Sequence, residues 1–212
     1  MTWLLALHSS SQVLGVGVRP LEPGGAARQR SAAFPLGRAL ANDLLACVEQ
    51  LLPAQEWPRL GRLAVATGPG GFTGTRLTVV LARTLAQQLQ LPLDGFSSFL
   101  LVARRLGLQQ PTWLTQELPR RGVVAGLYGP DPQALGGMAE LQAPRLFPAL
   151  AALAGTGEGP VPIAPADGQQ PDDVIQLLDL SAAAHVRGVV APWQGVLPLY
   201  PTSPVAGAPE VG

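Results

Sequence analysis

A glycine-rich loop is the part of this chain whose residue types are best suited to binding an anion. It follows the short apolar run 63–67, and its members are Gly68, Pro69, Gly70, Gly71, Phe72, Thr73, Gly74 and Arg76. Gly70 and Gly71 can adopt positive φ, and Thr73 can cap a following helix, which leaves backbone N–H groups free at its N-terminus. This pattern predicts an anion-binding nest. A tight strand-to-helix connection, in which Gly74 permits close packing, is the alternative interpretation.

The spacing of these glycines excludes two familiar phosphate-binding motifs. No two of them have the separation that a Walker A loop requires, and all 14 basic residues of the chain are arginine, so the lysine of that motif is missing. A dinucleotide fingerprint would need a glycine where Thr73 stands. The absence of lysine also excludes Schiff-base chemistry.

Histidine, cysteine and serine offer little for a metal site or a nucleophile. The two histidines, His8 and His185, are far apart in sequence and have no carboxylates at ligand spacing, and Cys47 has no second cysteine to pair with. The serines at 9–11, beside His8, are typical of a turn at the end of a strand. We therefore predict neither a metal site nor catalytic residues.

Composition favours a folded protein with an apolar surface. Hydrophobic residues make up 47% of the 212 residues and charged residues 13%, the reverse of what disorder requires, and this balance suggests a partner interface. The formal net charge is zero, so no overall field attracts nucleic acid or an anionic membrane. No apolar run reaches the roughly 18 residues of a membrane span. We predict a cytoplasmic location.

Apolar periodicity predicts an alternation of strands and helices. Strands are expected at 3–7, 13–18, 63–67, 113–115 and 122–128, and helices at 36–51, 73–91, 97–106 and 172–185, with Ser97 as an N-cap. The helix at 73–91 is apolar on more than one face, which predicts neighbours on two sides. Loops are expected from Pro130 to Pro171, where glycine and proline become frequent.

The string Gly-Pro-Gly-Gly-Phe-Thr-Gly-Thr-Arg at 68–76 resembles the signature of the bacterial TsaB (YeaZ) family. The resemblance extends to 97–100, 119–122 and 197–200; it is strong from 60 to 106 and weak from 130 to 190. It implies an α/β, two-domain actin-like ATPase (ASKHA, RNase-H-like) fold, with mixed sheets flanked by helices. We expect an N-terminal RNase-H-like domain at 1–108, a second, reduced one at 109–200, and a disordered tail at 201–212.

The resemblance also implies a function. Family members are non-catalytic partners of TsaD, which transfers a threonylcarbamoyl group to the adenosine next to the tRNA anticodon, and the ATPase TsaE joins the complex. Helices of the first domain pack against those of TsaD or of a second copy. By position, the candidate core and interface residues are Leu36, Leu40, Leu44, Val48, Leu77, Leu81 and Leu85. The implied contact with tRNA is made only through the complex, ATP or ADP would be present in the complex, and no cofactor or membrane contact is implied for this chain.

Three positions depart from the family pattern. His8 stands where the first strand of the family ends in aspartate, and Leu118 and Val123 replace acids of the second domain. The missing first-strand carboxylate argues against one alternative, an ASKHA-type nucleotide-binding enzyme with ATPase or kinase-like activity. A glycoprotease-like peptidase is a third interpretation, and it would need a Ser-His-Asp set or a metal cluster that the spacing does not provide.

Overall fold

The chain forms two β-sheets with helices packed around them. The computed structural model describes residues 1–155 and 161–201. The predicted disorder of the tail therefore lies, apart from Pro201, outside the described residues.

The first sheet has five strands in the spatial order β3-β2-β1-β4-β5. Its strands are β1 (Trp3–His8), β2 (Leu14–Pro20), β3 (Arg30–Phe34), β4 (Leu60–Ala66) and β5 (Leu93–Phe96). The strands β1, β2 and β3 form an antiparallel meander, whereas β4 and β5 run parallel to β1. Every residue of β1 is buried, because the strand lies in the middle of a sheet covered on both faces.

Helices cover both faces of this sheet. They are α1 (Leu40–Leu51), α2 (Phe72–Leu89), α3 (Ser98–Leu106) and α4 (Asp172–Val186). The helices α1 and α2 pack on the face that contains Leu5 and Leu7, and α3 and α4 pack on the opposite face with Leu4 and Ala6. The helix predicted from residue 36 begins only at Leu40, because the turn Gly37–Ala39 before it is a 3-10 helix.

The second sheet repeats the topology of the first with one strand fewer. Its strands are β6 (Thr112–Leu118), β7 (Gly122–Pro130), β8 (Met138–Phe147) and β9 (Ile163–Pro165). Their order β8-β7-β6-β9, with an antiparallel meander and a final parallel strand, matches β3-β2-β1-β4 of the first sheet. The β6 strand therefore corresponds to β1, and β9 corresponds to β4.

The prediction of loops between Pro130 and Pro171 is wrong for β8 and β9. The β8 strand lies at the edge of its sheet, contains Pro144, and is paired through register shifts, so its buried residues do not alternate. The β9 strand has only three residues. The division into domains between residues 108 and 109 stays a prediction. Helix α4 lies after residue 109 in the sequence, yet it packs on the first sheet.

Candidate functional site

The glycine loop connects β4 to α2 and differs in two details from its prediction. Gly71 is the N-cap of α2 and has a φ of −59°, so its predicted positive φ is wrong, and Gly68 adopts that conformation with a φ of 101°. Thr73 lies inside the first turn and does not cap the helix. The backbone N–H groups of residues 72–74 have no acceptor in the part of the chain that the structure describes. The predicted free amides at the helix N-terminus are therefore present.

Close packing accounts for two of the glycines. A Cβ atom at Gly70 would lie 2.3 Å from the carbonyl oxygen of Ser10, and one at Gly74 would lie 2.5 Å from that of Ser9. The Gly71 amide donates a hydrogen bond to the Ser10 carbonyl oxygen at 2.6 Å. The loop is thus pressed against the turn between β1 and β2, and close packing at Gly74 coexists with the exposed helix N-terminus.

A cleft of about 380 Å³ opens beside this loop, where the strands of both sheets end. From the first sheet it is lined by His8 at the end of β1, by Ser10 just after it, and by Pro69 after β4. From the second it is lined by Gln116 near the end of β6 and by the segment 166–168 after β9. The carboxyl ends of corresponding strands in the two repeats therefore face one cleft, which is where α/β proteins generally bind ligands.

A second cavity of about 340 Å³ adjoins the cleft. It is lined by Arg38, by the first turn of α2 and by Leu77. Ser11, Gln12 and Gly71 line both cavities, so the two meet at the N-cap of α2. Together they make the start of α2 accessible from two sides.

His8 is the most unusual residue of the cleft. Its side chain is 1% exposed, and burial lowers its pKa to about 4, so the ring is neutral at pH 7. Nδ1 accepts a long hydrogen bond of 3.5 Å from the Ser10 amide. Nε2 has no hydrogen-bond partner among the described residues. His8 therefore presents a buried ring nitrogen without a partner in that part of the chain.

The far wall of the cleft is held in place by Arg105 of α3. Its Nε donates to Asp173 Oδ1 at 2.7 Å, and its Nη2 donates to the Asp167 carbonyl oxygen at 2.6 Å. Asp173 also accepts the Gln169 amide at 2.6 Å, and burial raises the pKa of this carboxyl although Arg105 opposes the shift. These contacts fix segment 166–169 against α3.

The start of α3 connects the cleft to the second sheet. Ser97 is the N-cap, as predicted, but its hydroxyl pairs with the Tyr128 hydroxyl at 2.9 Å and does not cap the helix. Tyr128 donates to Glu140 at 2.7 Å, and burial, followed by the Glu140 charge, raises its pKa. The next residue, Ser98, pairs with Ser10 through their hydroxyl groups.

The structure divides the predicted interface leucines into two groups. Leu40, Leu44 and Val48 are buried in the core of the chain itself, between α1 and the first sheet. Four others are only partly buried and flank that core: Leu36, Leu77, Leu81 and Leu85.

Sequence reasoning missed two exposed apolar residues on the same side of the sheet. Leu45 of α1 is 49% exposed and Val80 of α2 is 53% exposed. The signal that could have found them is an apolar residue outside the buried stripe of an amphipathic helix. Among the described residues, no helix combines the length and the apolar character needed to cross a membrane.

Comparisons with known proteins agree with the resemblance seen in the loop. Residues 36–122 match the family model described as TsaD, tRNA N6-adenosine threonylcarbamoyltransferase. A segment of 39 residues is 49% identical to the tRNA threonylcarbamoyladenosine biosynthesis protein TsaB of Bacillus subtilis (strain 168). This segment covers 18% of the present chain and 17% of that protein.

Two solved structures share the fold over almost the whole chain. One is YeaZ from Pseudomonas aeruginosa, with a TM-score of 0.70, 23% identity, and coverage of 94% of this chain and 100% of that one. The other, described as a Pseudomonas aeruginosa protein with similarity to peptidase YEAZ, has a TM-score of 0.72 at 23% identity, covering 95% and 100%. The resemblance to the TsaB (YeaZ) family and the α/β fold with two mixed sheets are thereby confirmed.

Proposed function

We propose that this chain, a relative of the TsaB (YeaZ) proteins, takes part in tRNA threonylcarbamoyladenosine biosynthesis as a non-catalytic partner of TsaD. The name of the Bacillus subtilis relative and the description of the matching family model support the pathway. The role of a partner rests on the surface of the first sheet. In this proposal TsaE joins the same complex, and tRNA is bound only by the assembly.

The observation that carries the proposal is the outer surface of α1 and α2. The two helices pack on one face of the first sheet, with α1 over β2 and β3 and α2 over β4 and β1. Leu77, Leu81 and Leu85 recur every four residues and stay partly exposed, and Leu45 and Val80 are exposed further out. A helical partner surface would bury these side chains, which is favourable in proportion to the apolar area removed from water.

The burial of individual residues shows which substitutions test the surface cleanly. A charge at Leu77 or Leu81 would disturb the core as well, because both pack against it. Val80→Asp places the charge on a side chain that is 53% exposed, so the isolated chain should fold normally. Val186→Asp, at an α4 valine that is 84% exposed, is the matched control.

The first experiment is co-purification with TsaD of the same organism, measured by size-exclusion chromatography with light scattering. We expect a one-to-one complex with the unmodified chain and with Val186→Asp. Val80→Asp should weaken it by about a hundredfold, because an unpaired charge buried in an apolar contact costs a few kcal/mol. Equal binding by both variants would place the interface elsewhere. A dimer of this chain that excludes TsaD would contradict the partnership.

A second experiment tests the absence of catalysis. Threonylcarbamoyl transfer to tRNA should require TsaD, and the chain alone should neither transfer the group nor hydrolyse ATP. Turnover of ATP by the folded chain alone would instead support the nucleotide-binding enzyme, and peptide cleavage would support the peptidase.

A further inference from the structure

Three buried polar atoms lack partners around the start of α2. They are His8 Nε2, Ser9 Oγ and Thr75 Oγ1, on side chains that are at most 2% exposed, and none has a hydrogen-bond partner within the described ranges. Ser9 Oγ lies against the first turn of α2, since a Cβ at Gly74 would approach it to 2.8 Å. Buried polar groups are normally paired, so such a cluster is unusual. His8 lines the cleft directly.

The first turn of α2 adds a second source of unpaired donors. The helix has 18 residues, its N-cap is a glycine, and its first turn contains no acidic side chain. Residues 72–74, whose amides have no acceptor within the described part of the chain, line the adjoining cavity at the positive end of the helix dipole.

The charges around the two cavities are few, and the two cavities do not share them. Arg38 lines the cavity at the start of α2, and Asp167 lines the cleft. Both side chains are exposed. The remaining polar residues of the lining are uncharged, among them Ser10, Ser98 and Gln116.

We propose that the joined cavities bind the phosphate group of a small molecule directly, without a metal ion. The oxygens of the phosphate would accept hydrogen bonds from the free amides of α2, from Arg38 and from His8 Nε2. In this arrangement the neutral His8 ring would carry its proton on Nε2 and donate it to the anion, whereas a carboxylate at the same position would repel an anion unless a cation lay between them. The ligand is either inorganic phosphate or a phosphate monoester, and the experiment separates these two sources.

The test is a titration of the isotope-labelled full chain, followed by amide and imidazole NMR signals at constant ionic strength. The probes are inorganic phosphate and ribose 5-phosphate, with ribose as the control for the second. Saturable shifts at His8 and at the amides of 71–74 are expected with at least one phosphate probe. Tighter binding of ribose 5-phosphate identifies a monoester site, and equal or weaker binding identifies an inorganic phosphate site. Shifts that stay linear with both probes, or that are centred elsewhere, would overturn the proposal.

Charge variants test the same site without disturbing the core. Arg38→Ala should weaken phosphate binding by about tenfold, because it removes one charge-assisted hydrogen bond. Asp167→Asn should strengthen binding, because it removes the carboxylate of the cleft. The exposed Arg187 lies at the end of α4 and lines neither cavity, so Arg187→Ala serves as the control for a general loss of positive charge. Equal weakening by the Arg38 and Arg187 variants would refute the site.

A variant of His8 completes the set. His8→Leu removes the buried donor and should weaken phosphate binding while the other amide signals keep their native dispersion. If this variant fails to fold, the Arg38 and Asp167 variants, both at exposed positions, still decide the outcome. All these measurements use the isolated chain. A negative result for phosphate binding would therefore leave the proposed partnership with TsaD unaffected, and failure to bind TsaD would leave the phosphate site unaffected.

Discussion

The buried His8 ring should make the stability of this protein sensitive to mild acid. The unfolded chain binds a proton at this residue with a pKa of 6.5, whereas burial in the folded chain lowers the pKa to about 4. Between these two values the unfolded state holds more protons than the folded state, so the free energy of unfolding must fall as the pH falls. Above pH 6.5 both states are neutral at His8, and the effect disappears.

The size of this effect follows from the two pKa values. The expected loss is about 2 kcal/mol between pH 7 and pH 5 and about 3 kcal/mol by pH 4, because a tenfold change in a protonation equilibrium corresponds to about 1.4 kcal/mol. His8 is 1% exposed, so solvent screening does not reduce the figure appreciably. For a domain of ordinary stability this is a substantial fraction of the total.

The assay is urea unfolding, monitored by circular dichroism at several pH values, for the unmodified chain and for His8→Gln. Other groups titrate in the same range, so the informative quantity is the difference between the two proteins at each pH. Between pH 7 and pH 5, the free energy of unfolding of the unmodified chain should fall by about 2 kcal/mol more than that of His8→Gln. His185→Gln removes an exposed imidazole and leaves His8 in place, so it should retain the acid-dependent loss. A difference independent of pH would show that His8 is not held neutral by burial.

Two further predictions concern packing, one at a buried ion pair near the amino ends of β4 and β5 and one in the glycine loop. Arg62 and Asp94 form a buried ion pair, with hydrogen bonds of 2.7 and 2.8 Å, and Arg62 also donates to the Val189 carbonyl oxygen at 3.2 Å. Asp94→Leu should lower the free energy of unfolding by about 3–5 kcal/mol, because it leaves the buried guanidinium without its counter-charge. A loss below about 1 kcal/mol in urea unfolding would contradict this. Gly74→Ala should cost about 1–3 kcal/mol, because its Cβ would clash with the Ser9 carbonyl oxygen, while Gly195→Ala, where a Cβ meets nothing within 4 Å, should be nearly neutral in the same thermal melts. Equal melting temperatures for the two alanine variants would refute the close approach.

Periodic segments were predictable from the sequence, and irregular ones were not. Strand β1 and helices α2 and α4 carry apolar patterns long enough to identify them, and the structure places them within a few residues of the prediction. Strand β3 was not predicted, because this edge strand contains Ser31, Ala32 and Ala33 and has no buried apolar residue to set a pattern. Edge strands pair on one side only and tolerate such sequences.

The glycine loop was predictable as a motif, but the cleft around it was not. The amides of α2 follow from local sequence, since a strand, a glycine loop and a helix occur in succession. Ser98 comes from the start of α3, after β5 of the first sheet. Gln116 and Asp167 join these groups only because the second sheet repeats the strand order of the first and turns its carboxyl ends to the same cleft. Single polar residues leave no periodic signal, and the repeated topology was expected only from the family resemblance, not from any repeat in the residues themselves.

The same repeat explains why an anion would settle at one end of the cleft. In the first repeat, the strand parallel to β1 is β4, and a short segment connects it to α2. In the second repeat, the strand parallel to β6 is β9, and a short segment connects it to α4. The N-terminus of α4 carries Asp172 and Asp173 in its first turn, and Asp173 accepts the Gln169 amide and pairs with Arg105. Its positive dipole end is therefore already compensated by carboxylates of the chain. The N-terminus of α2 has no such carboxylate, so of the two equivalent positions only this one is left for a negative charge from outside.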